Sequence, residues 1–321
     1  MKRQTLFTLI SLLLTILATA STKDTPDIRI ARFLDGKSAA ISYTFDDGYV
    51  EHLRVVAPEM EKNGFRGTFW VNGTTHEGNA NNQKDSSRLS WAQAKELHLR
   101  GHEVSNHGWS HKNLKRISNE EINIEIERND SVIEANIGIR PTTYCYAYNA
   151  KDANIQAMAS QGRVGTRTKQ KGFGNKATRE SMLDWAHEQI EQGEWGVAMM
   201  HGIHYGYDAF RDANVLWQHF ADVHYLKDQI WVGTFKDVAA YITERDSIRL
   251  EIKQKRNKTI VTPSFDLDPN LFTMPLTLEI PRSERMSIEI KQDKKTLKPI
   301  LLSDRILVNI NPYGGPVTIR Y

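Results

Sequence analysis

Between residues 38 and 245, short apolar segments alternate with segments whose apolar residues recur at helical spacing. The apolar segments read AAISYTF, GTFWV, HEVSN, TTYCYAY, WGVAMM and QIWVG, with RVGTRT as a weaker candidate. Strand–helix alternation of this kind builds sheets whose strands run largely parallel. We therefore expect an α/β fold with a mostly parallel sheet, either open or closed into a barrel.

Three of the helical segments have recognisable starting residues. Ser90 with Gln93, and Ser118 with Glu121, have the spacing of a capping box, in which the side chains bind backbone N–H groups of the first turn. Thr234 begins a third helix in the segment TFKDVAAYITERD. These starts separate the helices from the apolar segments and support the alternation.

After about residue 246 the pattern becomes an alternation of apolar and polar residues with period two. SIRLEIKQ, PLTLEIP, MSIEIKQ, RILVNI and GPVTIRY follow it, with no helical pattern between them. Such alternation is typical of antiparallel strands with one buried face. We therefore expect an α/β domain at residues 21–247 and a small β-sandwich-like domain at 248–321.

The first 20 residues, MKRQTLFTLISLLLTILATA, combine two basic residues, an apolar stretch and a small-residue end. This pattern is typical of a secretory signal peptide, and its apolar stretch is short for a membrane span. A single membrane anchor is the alternative. We expect a cleaved signal peptide at residues 1–20, location in the periplasm or outside the cell, and no stable membrane insertion afterwards.

The net charge bears on the binding partners of the protein, and the cysteine content bears on its disulfide bonds. The formal net charge is +3, and Lys2 and Arg3 of the predicted leader supply two of those charges. This balance gives no reason to expect a nucleic-acid partner or a polybasic membrane surface. The single cysteine, Cys145, cannot form an internal disulfide, and its apolar flanks favour a buried, inert thiol.

Four acidic or histidine residues lie just past the carboxyl ends of apolar segments: Asp46, Asp47, His107 and His201. Each has a plain alternative on its own, because Asp-Gly is a common turn and a strand-end histidine often belongs to the core. In parallel sheets and barrels, however, sites are built at the carboxyl ends of the strands. Their common position therefore favours one shared site.

The residue types at this edge suit metal-assisted hydrolysis. His107 and His111 are four residues apart, which would place both imidazoles on one face of a helical turn, within reach of one metal ion. We assign no metal to the second pair with this spacing, His98 and His102, because a glycine within it should end a helix. One carboxylate and two imidazoles leave an open position on a metal. The second aspartate can then act as a base, and His201 as an acid.

These residues resemble the motifs of the polysaccharide deacetylases of the NodB-homology type, carbohydrate esterase family 4, over about residues 38–245. TFDDG is similar to the first motif, which implies that Asp46 is the catalytic base and Asp47 a metal ligand. HGWSH is similar to the second motif, which implies that His107 and His111 are the other ligands. MMH is similar to the fifth motif and implies that His201 is the general acid. The family's distorted (β/α) barrel of about seven strands agrees with the strands counted above.

The third and fourth motifs match more loosely. RPTTYCY is similar to the third motif, whose arginine pairs with the catalytic aspartate, and this implies that role for Arg140. LDWA is similar to the fourth motif. It implies that Asp184 orients the acid histidine and that Trp185 forms a wall of the substrate groove.

Two motifs also depart from the family pattern. Gly108 follows the first histidine of HGWSH, where the family usually has Ser or Thr. In RPTTYCY, Cys145 replaces a glycine in the loop that helps to supply a backbone N–H group to the oxyanion, and we assign that donor to Tyr144. In the segment GIHYGYDAFRD we assign His204 and Tyr205 to the substrate cleft, with a packed surface loop as the alternative.

The resemblance implies a metal-dependent hydrolase that removes N- or O-linked acetyl groups from a polysaccharide or oligosaccharide. The expected metal is a divalent cation, with Zn²⁺ favoured by the histidine and carboxylate ligands. Two alternatives stay open from the residues alone. The altered third motif favours a carbohydrate-binding protein with impaired catalysis, and the same chemistry suits a non-sugar amide.

Overall fold

The computed structural model of the chain describes residues 27–74, 85–282 and 288–321. The predicted signal peptide at 1–20 lies outside these ranges. Within them, no helix is both long and apolar enough to pass through a lipid bilayer.

Eight strands form one sheet in which all paired neighbours run parallel. After a short first strand, β1 (Arg29–Ile30), the sheet is built from β2 (Ala39–Phe45), β3 (Thr68–Val71), β4 (Glu103–Asn106), β5 (Thr143–Cys145), β6 (Gly165–Arg167), β7 (Lys171–Gly172), β8 (Trp195–Met200) and β9 (Ile230–Val232). Their order is β6-β5-β4-β3-β2-β8-β7, with β9 beside the first half of β2. The sheet curls into a half-barrel. The predicted distorted (β/α) barrel is therefore confirmed, with eight strands instead of about seven.

Strand register brings the carboxyl ends of the strands to one edge of this sheet. The last residue of β2, Phe45, is paired with the last residue of β8, Met200. In the same way the last residue of β3 is paired with the last of β4, and the last residue of β5 with the last of β6. The loops that leave these strands therefore begin side by side.

Side chains of β2 alternate between the two faces of the sheet. Ile41, Tyr43 and Phe45 belong to the main apolar core, which lies between the sheet and the surrounding helices. The intervening residues, among them Ser42 and Thr44, face the barrel interior and are small. This alternation leaves polar space inside the barrel at the edge where β2 ends.

Seven α-helices lie in the described part of the chain, and the predicted starts are confirmed. Ser90 and Ser118 make capping boxes, and the Thr234 side chain accepts a hydrogen bond from a first-turn N–H group. The helices are α1 (Ala57–Lys62), α2 (Trp91–Leu99), α3 (Asn119–Ile137), α4 (Ala153–Ala159), α5 (Arg179–Gln192), α6 (Asn214–Tyr225) and α7 (Phe235–Ser247). Shorter helical turns are His52–Val56, a π-type turn before α1, and the 3₁₀ turns Leu34–Gly36, Leu114–Arg116 and Ala147–Asn149.

The strands after α7 form two antiparallel sheets that share an apolar core. They are β10 (Arg249–Lys255), β11 (Lys258–Ser264), β12 (Leu276–Pro281), β13 (Glu289–Gln292), β14 (Lys295–Thr296), β15 (Ile300–Leu301), β16 (Arg305–Ile310) and β17 (Val317–Arg320). One sheet has the order β10-β11-β17-β13-β14, and the other β1-β12-β16-β15. Strand β1, which the sequence boundaries assign to the α/β part, thus pairs with the β part. This antiparallel C-terminal region agrees with the fold expected from the sequence.

Candidate metal and catalytic site

Three of the predicted residues converge at the carboxyl edge of the sheet. The Oδ1 atom of Asp47 lies 3.5 Å from Nε2 of His107 and 3.4 Å from Nε2 of His111. One ligand atom from each of the three lies within 4.8 Å of the others, which is close enough for a single metal ion. Asp47 and His111 are partly buried and His107 is buried, so the group opens towards solvent on one side.

The two histidines do not share a face of a helical turn, so that prediction was wrong. Residues 107–113 form an irregular loop after β4. Gly108 and His111 have φ values of 84° and 56°, in the left-handed region, and these residues turn the loop back so that the two imidazoles meet. Asp47 also has a positive φ, of 72°. The site therefore depends on loop geometry that the four-residue spacing does not reveal.

The tautomer of His107 is set by its second ring nitrogen. Nδ1 donates a hydrogen bond of 3.0 Å to the backbone carbonyl of Cys145, which leaves Nε2 as the ring atom that faces Asp47. Burial lowers the pKa of His107, but neighbouring Cys145, Asp47 and Asp46 outweigh it and bring this pKa well above its usual value. Burial and the adjacent charge of His107 lower the pKa of His111 to about 4. The carboxylates thus stabilise positive charge between these rings, as a cation site requires.

Asp46 lies on the inner face of the barrel, next to these ligands, and is buried. Its carboxylate receives two hydrogen bonds from Arg167, of 2.7 Å from Nη1 and 2.5 Å from Nη2. Arg167 also donates a 2.7 Å hydrogen bond to Thr44, one of the small inner-face residues of β2. Burial raises the pKa of Asp46, but the charge and hydrogen bonds of Arg167, together with the charges of His107 and His201, outweigh it, so the pKa falls below its ordinary value. Asp46 is therefore held in its ionised form.

The pairing of Arg140 with Asp46 was a wrong prediction. Arg140 precedes β5, so it lies at the amino edge of the sheet, and its side chain is 45% exposed. Its partners there are Glu127 at 2.5 Å and Glu134 at 3.3 Å. Arg167 takes the position beside Asp46 because it ends β6, at the carboxyl edge. The sequence offered a clue to Arg167, because the candidate strand RVGTRT has this basic residue near its carboxyl end.

The roles assigned to Asp184 and Trp185 also do not fit the structure. Both residues lie on α5, outside the barrel, where Asp184 is exposed to solvent. Trp185 is buried and packs against Phe173, with ring centroids 5.2 Å apart. It also covers Gly196 of β8, where a Cβ atom would lie 2.5 Å from the indole ring. Trp185 is a core residue between helix and sheet, and Asp184 does not reach His201.

His201 follows β8 and faces Asp46 across the site. Its Nε2 atom lies 3.7 Å from Oδ2 of Asp46, and its side chain is 14% exposed. His52 donates a 2.8 Å hydrogen bond to the backbone carbonyl of His201. The Tyr207 ring packs edge-on against the imidazole, with centroids 4.9 Å apart. These contacts leave the imidazole at the wall of an open cleft.

The cleft above the site has a volume of about 590 Å³. Tyrosines line it on both sides: Tyr148 packs on the His111 ring at 4.7 Å, and Tyr207 packs on His201. Both are largely exposed. The other lining residues are Asp46, Asp47, Tyr49, Arg88, His107, Tyr146, Asn149, Arg167, Gln170 and Met199.

The three remaining predicted substrate contacts lie outside this lining. Tyr144 is fully buried beneath the loop after β4, because strand alternation turns its side chain to the outer face of β5. His204 points away from the cleft towards Glu51, at 3.3 Å. Tyr205 packs against Tyr49, and its hydroxyl lies 3.3 Å from the carbonyl of Ser87. Assigning His204 and Tyr205 to the cleft was therefore wrong, and this segment is the packed surface loop of the alternative. The assignment of Tyr144 concerned its backbone N–H group and stays a prediction.

A family model described as polysaccharide deacetylase matches residues 34–164. The chain is 22% identical to a gellan lyase from Bacillus sp over 293 residues, which is 79% of this chain and 11% of that protein. It is 28% identical to chitin deacetylase 1 from Cryptococcus neoformans var. grubii, over 37% of this chain and 23% of that protein. Among solved structures, peptidoglycan deacetylase PdaC from Bacillus subtilis has 19% identity and a TM-score of 0.47, covering 65% of this chain and 93% of that chain. The chain thus spans no more than about a quarter of these two curated relatives.

Proposed function

We propose that the chain is a metal-dependent hydrolase that removes acetyl groups from a carbohydrate, since residues 34–164 match a family model described as polysaccharide deacetylase. One observation carries this proposal. A three-ligand group, a buried ionised carboxylate and a histidine on the opposite wall meet at the carboxyl edge of the barrel. Metal-assisted hydrolysis of an acetyl group uses a metal to polarise the carbonyl, a base for the water and an acid for the leaving group, and the three parts match these roles.

Asp47, His107 and His111 would hold the metal. Their donor set of one carboxylate and two imidazoles suits zinc, and the hydrogen bond from His107 Nδ1 to a carbonyl orients that ring for coordination. A divalent cation bound there would polarise the acetyl carbonyl and lower the pKa of a water molecule. Zinc is therefore the cofactor that we propose, held by three protein ligands with the remaining positions open.

Asp46 and His201 would move the protons. Asp46 accepts a proton from the attacking water, whose oxygen bonds to the acetyl carbon, and Arg167 keeps this carboxylate ionised for that purpose. His201 donates a proton to the leaving nitrogen or oxygen as its bond to the acetyl carbon breaks. The products are acetate and the free amine or hydroxyl of the sugar.

The cleft supports a carbohydrate as the substrate. Tyr148 and Tyr207 present exposed rings on the two sides of the site, where sugar rings could lie against their faces. The leader pattern at residues 1–20 places the activity outside the cytoplasm in this proposal. Mass spectrometry of the exported protein would test it, and a retained leader would contradict it.

Acetate release by the purified protein tests the function. We would offer acetylated chitooligosaccharides, peptidoglycan fragments and O-acetylated glycans, each with and without a chelator. We expect chelator-sensitive release from at least one class. His107→Ala should lose metal and activity together, whereas Asp46→Asn should retain the metal and lose turnover. Full activity in either variant contradicts the assignment, and glycan binding without acetate release would favour the carbohydrate-binding alternative.

A further inference from the structure

Two buried glutamates, Glu51 and Glu125, accept hydrogen bonds from the backbones of the two loops that carry site residues. We propose that they are positioning residues with separate tasks: Glu125 sets the geometry of the metal ligands, and Glu51 sets the position of the acid histidine. This inference rests on the proposed function. It adds that metal binding and proton donation have independent anchors in this chain.

Glu125 lies on α3 and reaches the loop between the two metal-ligand histidines. Its carboxylate accepts a 2.8 Å hydrogen bond from the N–H group of Ser110 and a second bond from the Ser110 hydroxyl. Its own backbone carbonyl accepts a 2.8 Å hydrogen bond from the N–H group of Trp109. Both the side chain and the backbone of one helical residue therefore hold the middle of the loop whose ends are His107 and His111.

Gly108 belongs to the same arrangement. A Cβ atom on Gly108 would lie 3.2 Å from Oε2 of Glu125, and its φ of 84° is unfavourable for other residues. Glycine thus allows the close approach of this carboxylate to the loop. The glycine at position 108, which departs from the family pattern, therefore leaves the space that the buried Glu125 carboxylate occupies.

Glu51 holds the loop that begins with His201. Its carboxylate accepts hydrogen bonds from the N–H groups of Ile203 and His204, the latter at 3.1 Å. The adjacent His52 binds the backbone carbonyl of His201 at 2.8 Å. One short segment after β2 therefore fixes the backbone on which the acid histidine is mounted.

The burial of these carboxylates is the reason to assign them a task. Glu125 is 2% exposed and Glu51 is 3% exposed, and a buried carboxylate is costly unless charge-assisted hydrogen bonds compensate it. Both carboxylates accept those hydrogen bonds from backbone N–H groups of the loops that carry site residues. The loop residues bound by Glu125 and those bound by Glu51 do not overlap, so each anchor can be removed alone.

The first measurement is metal affinity of the full chain, stripped of metal and titrated with Zn²⁺ against a chromogenic chelator. We expect Glu125→Ala to raise the Kd for Zn²⁺ by about 10- to 100-fold, as changes to residues that orient metal ligands do. Glu125→Gln keeps one acceptor oxygen and should give an intermediate Kd. Glu51→Ala should leave the Kd within about twofold of the unaltered protein, because its carboxylate bonds to the loop after β8, which carries no proposed metal ligand.

The second measurement compares leaving groups at saturating Zn²⁺. Hydrolysis of an N-acetylated sugar needs an acid, whereas 4-nitrophenyl acetate has a leaving group that departs without one. We expect Glu51→Ala to lower kcat/KM at least about tenfold for the sugar and less than about threefold for the phenyl ester. Glu51→Gln should recover part of the sugar activity. Glu125→Ala should leave the ratio between the two substrates unchanged.

Glu244→Gln is the matched control, because Glu244 is also buried and also binds a backbone N–H group, that of Met274, but far from the site. It should change neither the Kd nor the substrate ratio. Unchanged Zn²⁺ affinity in both Glu125 variants, or equal losses on both substrates in the Glu51 variants, overturns the inference while the proposed function stands. An unaltered protein that neither binds Zn²⁺ nor releases acetate overturns both.

Discussion

The buried ion pair between Asp46 and Arg167 gives the sharpest test of the site. Both side chains are 3% exposed, and they share two direct hydrogen bonds. Removing one partner of a buried pair leaves an uncompensated charge, so Arg167→Gln should lower the free energy of unfolding by about 3–5 kcal/mol. Arg140 is 45% exposed, and its loss should cost no more than about 1 kcal/mol. Arg140→Gln is therefore the matched control.

Under the proposed function, the pair should also set the acidic limit of the pH range of activity. Asp46 has a lowered pKa in the folded protein, so its contribution to stability is present above the pKa of the unfolded chain and is lost as the pH falls through the folded pKa. Without Arg167, only His107 and His201 oppose the effect of burial, so the pKa of Asp46 should rise. The acidic limb of the kcat/KM profile should then move to higher pH, and activity lost at neutral pH should partly return in alkaline buffer.

Urea unfolding followed by tryptophan fluorescence measures the first effect, and acetate release across pH measures the second. Metal content is measured in each sample, so that loss of the ion is not mistaken for loss of the base. The reasoning is refuted if Arg140→Gln is as damaging as Arg167→Gln. It is also refuted if Arg167→Gln retains both the stability and the pH profile of the unaltered protein.

Three further outcomes are expected. Burial raises the pKa of Glu244 to about 7, so the stability that this residue contributes is full below the pKa of the unfolded chain and is lost as the pH rises through 7. The difference in unfolding free energy between Glu244→Gln and the unaltered protein should therefore change by up to about 3 kcal/mol between pH 4 and pH 8. Urea unfolding measures this difference, and a constant value across that range would contradict the prediction. Tyr148→Ala should raise KM for a glycan but not for 4-nitrophenyl acetate, whereas Tyr205→Ala, outside the cleft, should change neither; equal effects of the two would remove Tyr148 from the substrate site. Cys145→Ala should retain acetate release, since the thiol is buried and has no assigned proton or ligand role, and loss of activity with metal still bound would show that the thiol participates.

The candidate site could be located from the sequence by a strand-end rule, which states that sites in parallel sheets and barrels lie at the carboxyl ends of the strands. It needs only the periodicity of the apolar segments and the fact that carboxyl ends of parallel strands share an edge. Asp46, Asp47, His107 and His201 come together in the structure for that reason, and the loop after β4 brings His111 to them. The residues identified this way did not depend on the closeness of any motif match.

Predictions from the order of the motifs were wrong where they did not consider whether a residue precedes or follows its strand. Arg140 stands before its strand and so falls at the opposite edge, while Asp184 and Trp185 lie on a helix outside the barrel. Arg167 obeys the strand-end rule, but its strand has three residues and little apolar character. Alternation along β5 turns the side chain of Tyr144 outwards, so its predicted role is confined to the backbone N–H group.

The anchoring glutamates were beyond sequence reasoning of this kind. Glu51 and Glu125 bind backbone N–H groups, which every residue except proline supplies, so their partners leave no trace in residue identity. The same holds for the carbonyl of Cys145 that orients His107. Hydrogen bonds to backbone groups of this kind can be identified only from the three-dimensional structure of the loops.

The pairing of β1 with β12 has a consequence for synthesis on the ribosome. Arg29 and its partner Glu279 are 250 positions apart, and Tyr241 of α7 donates a hydrogen bond to the carbonyl of Ala31. Translation delivers the strand Arg29–Ile30 long before the strand that completes its sheet, so this part of the fold must wait for late-emerging chain. A truncated gene ending after α7 would therefore leave the strand Arg29–Ile30 without its partner strand β12.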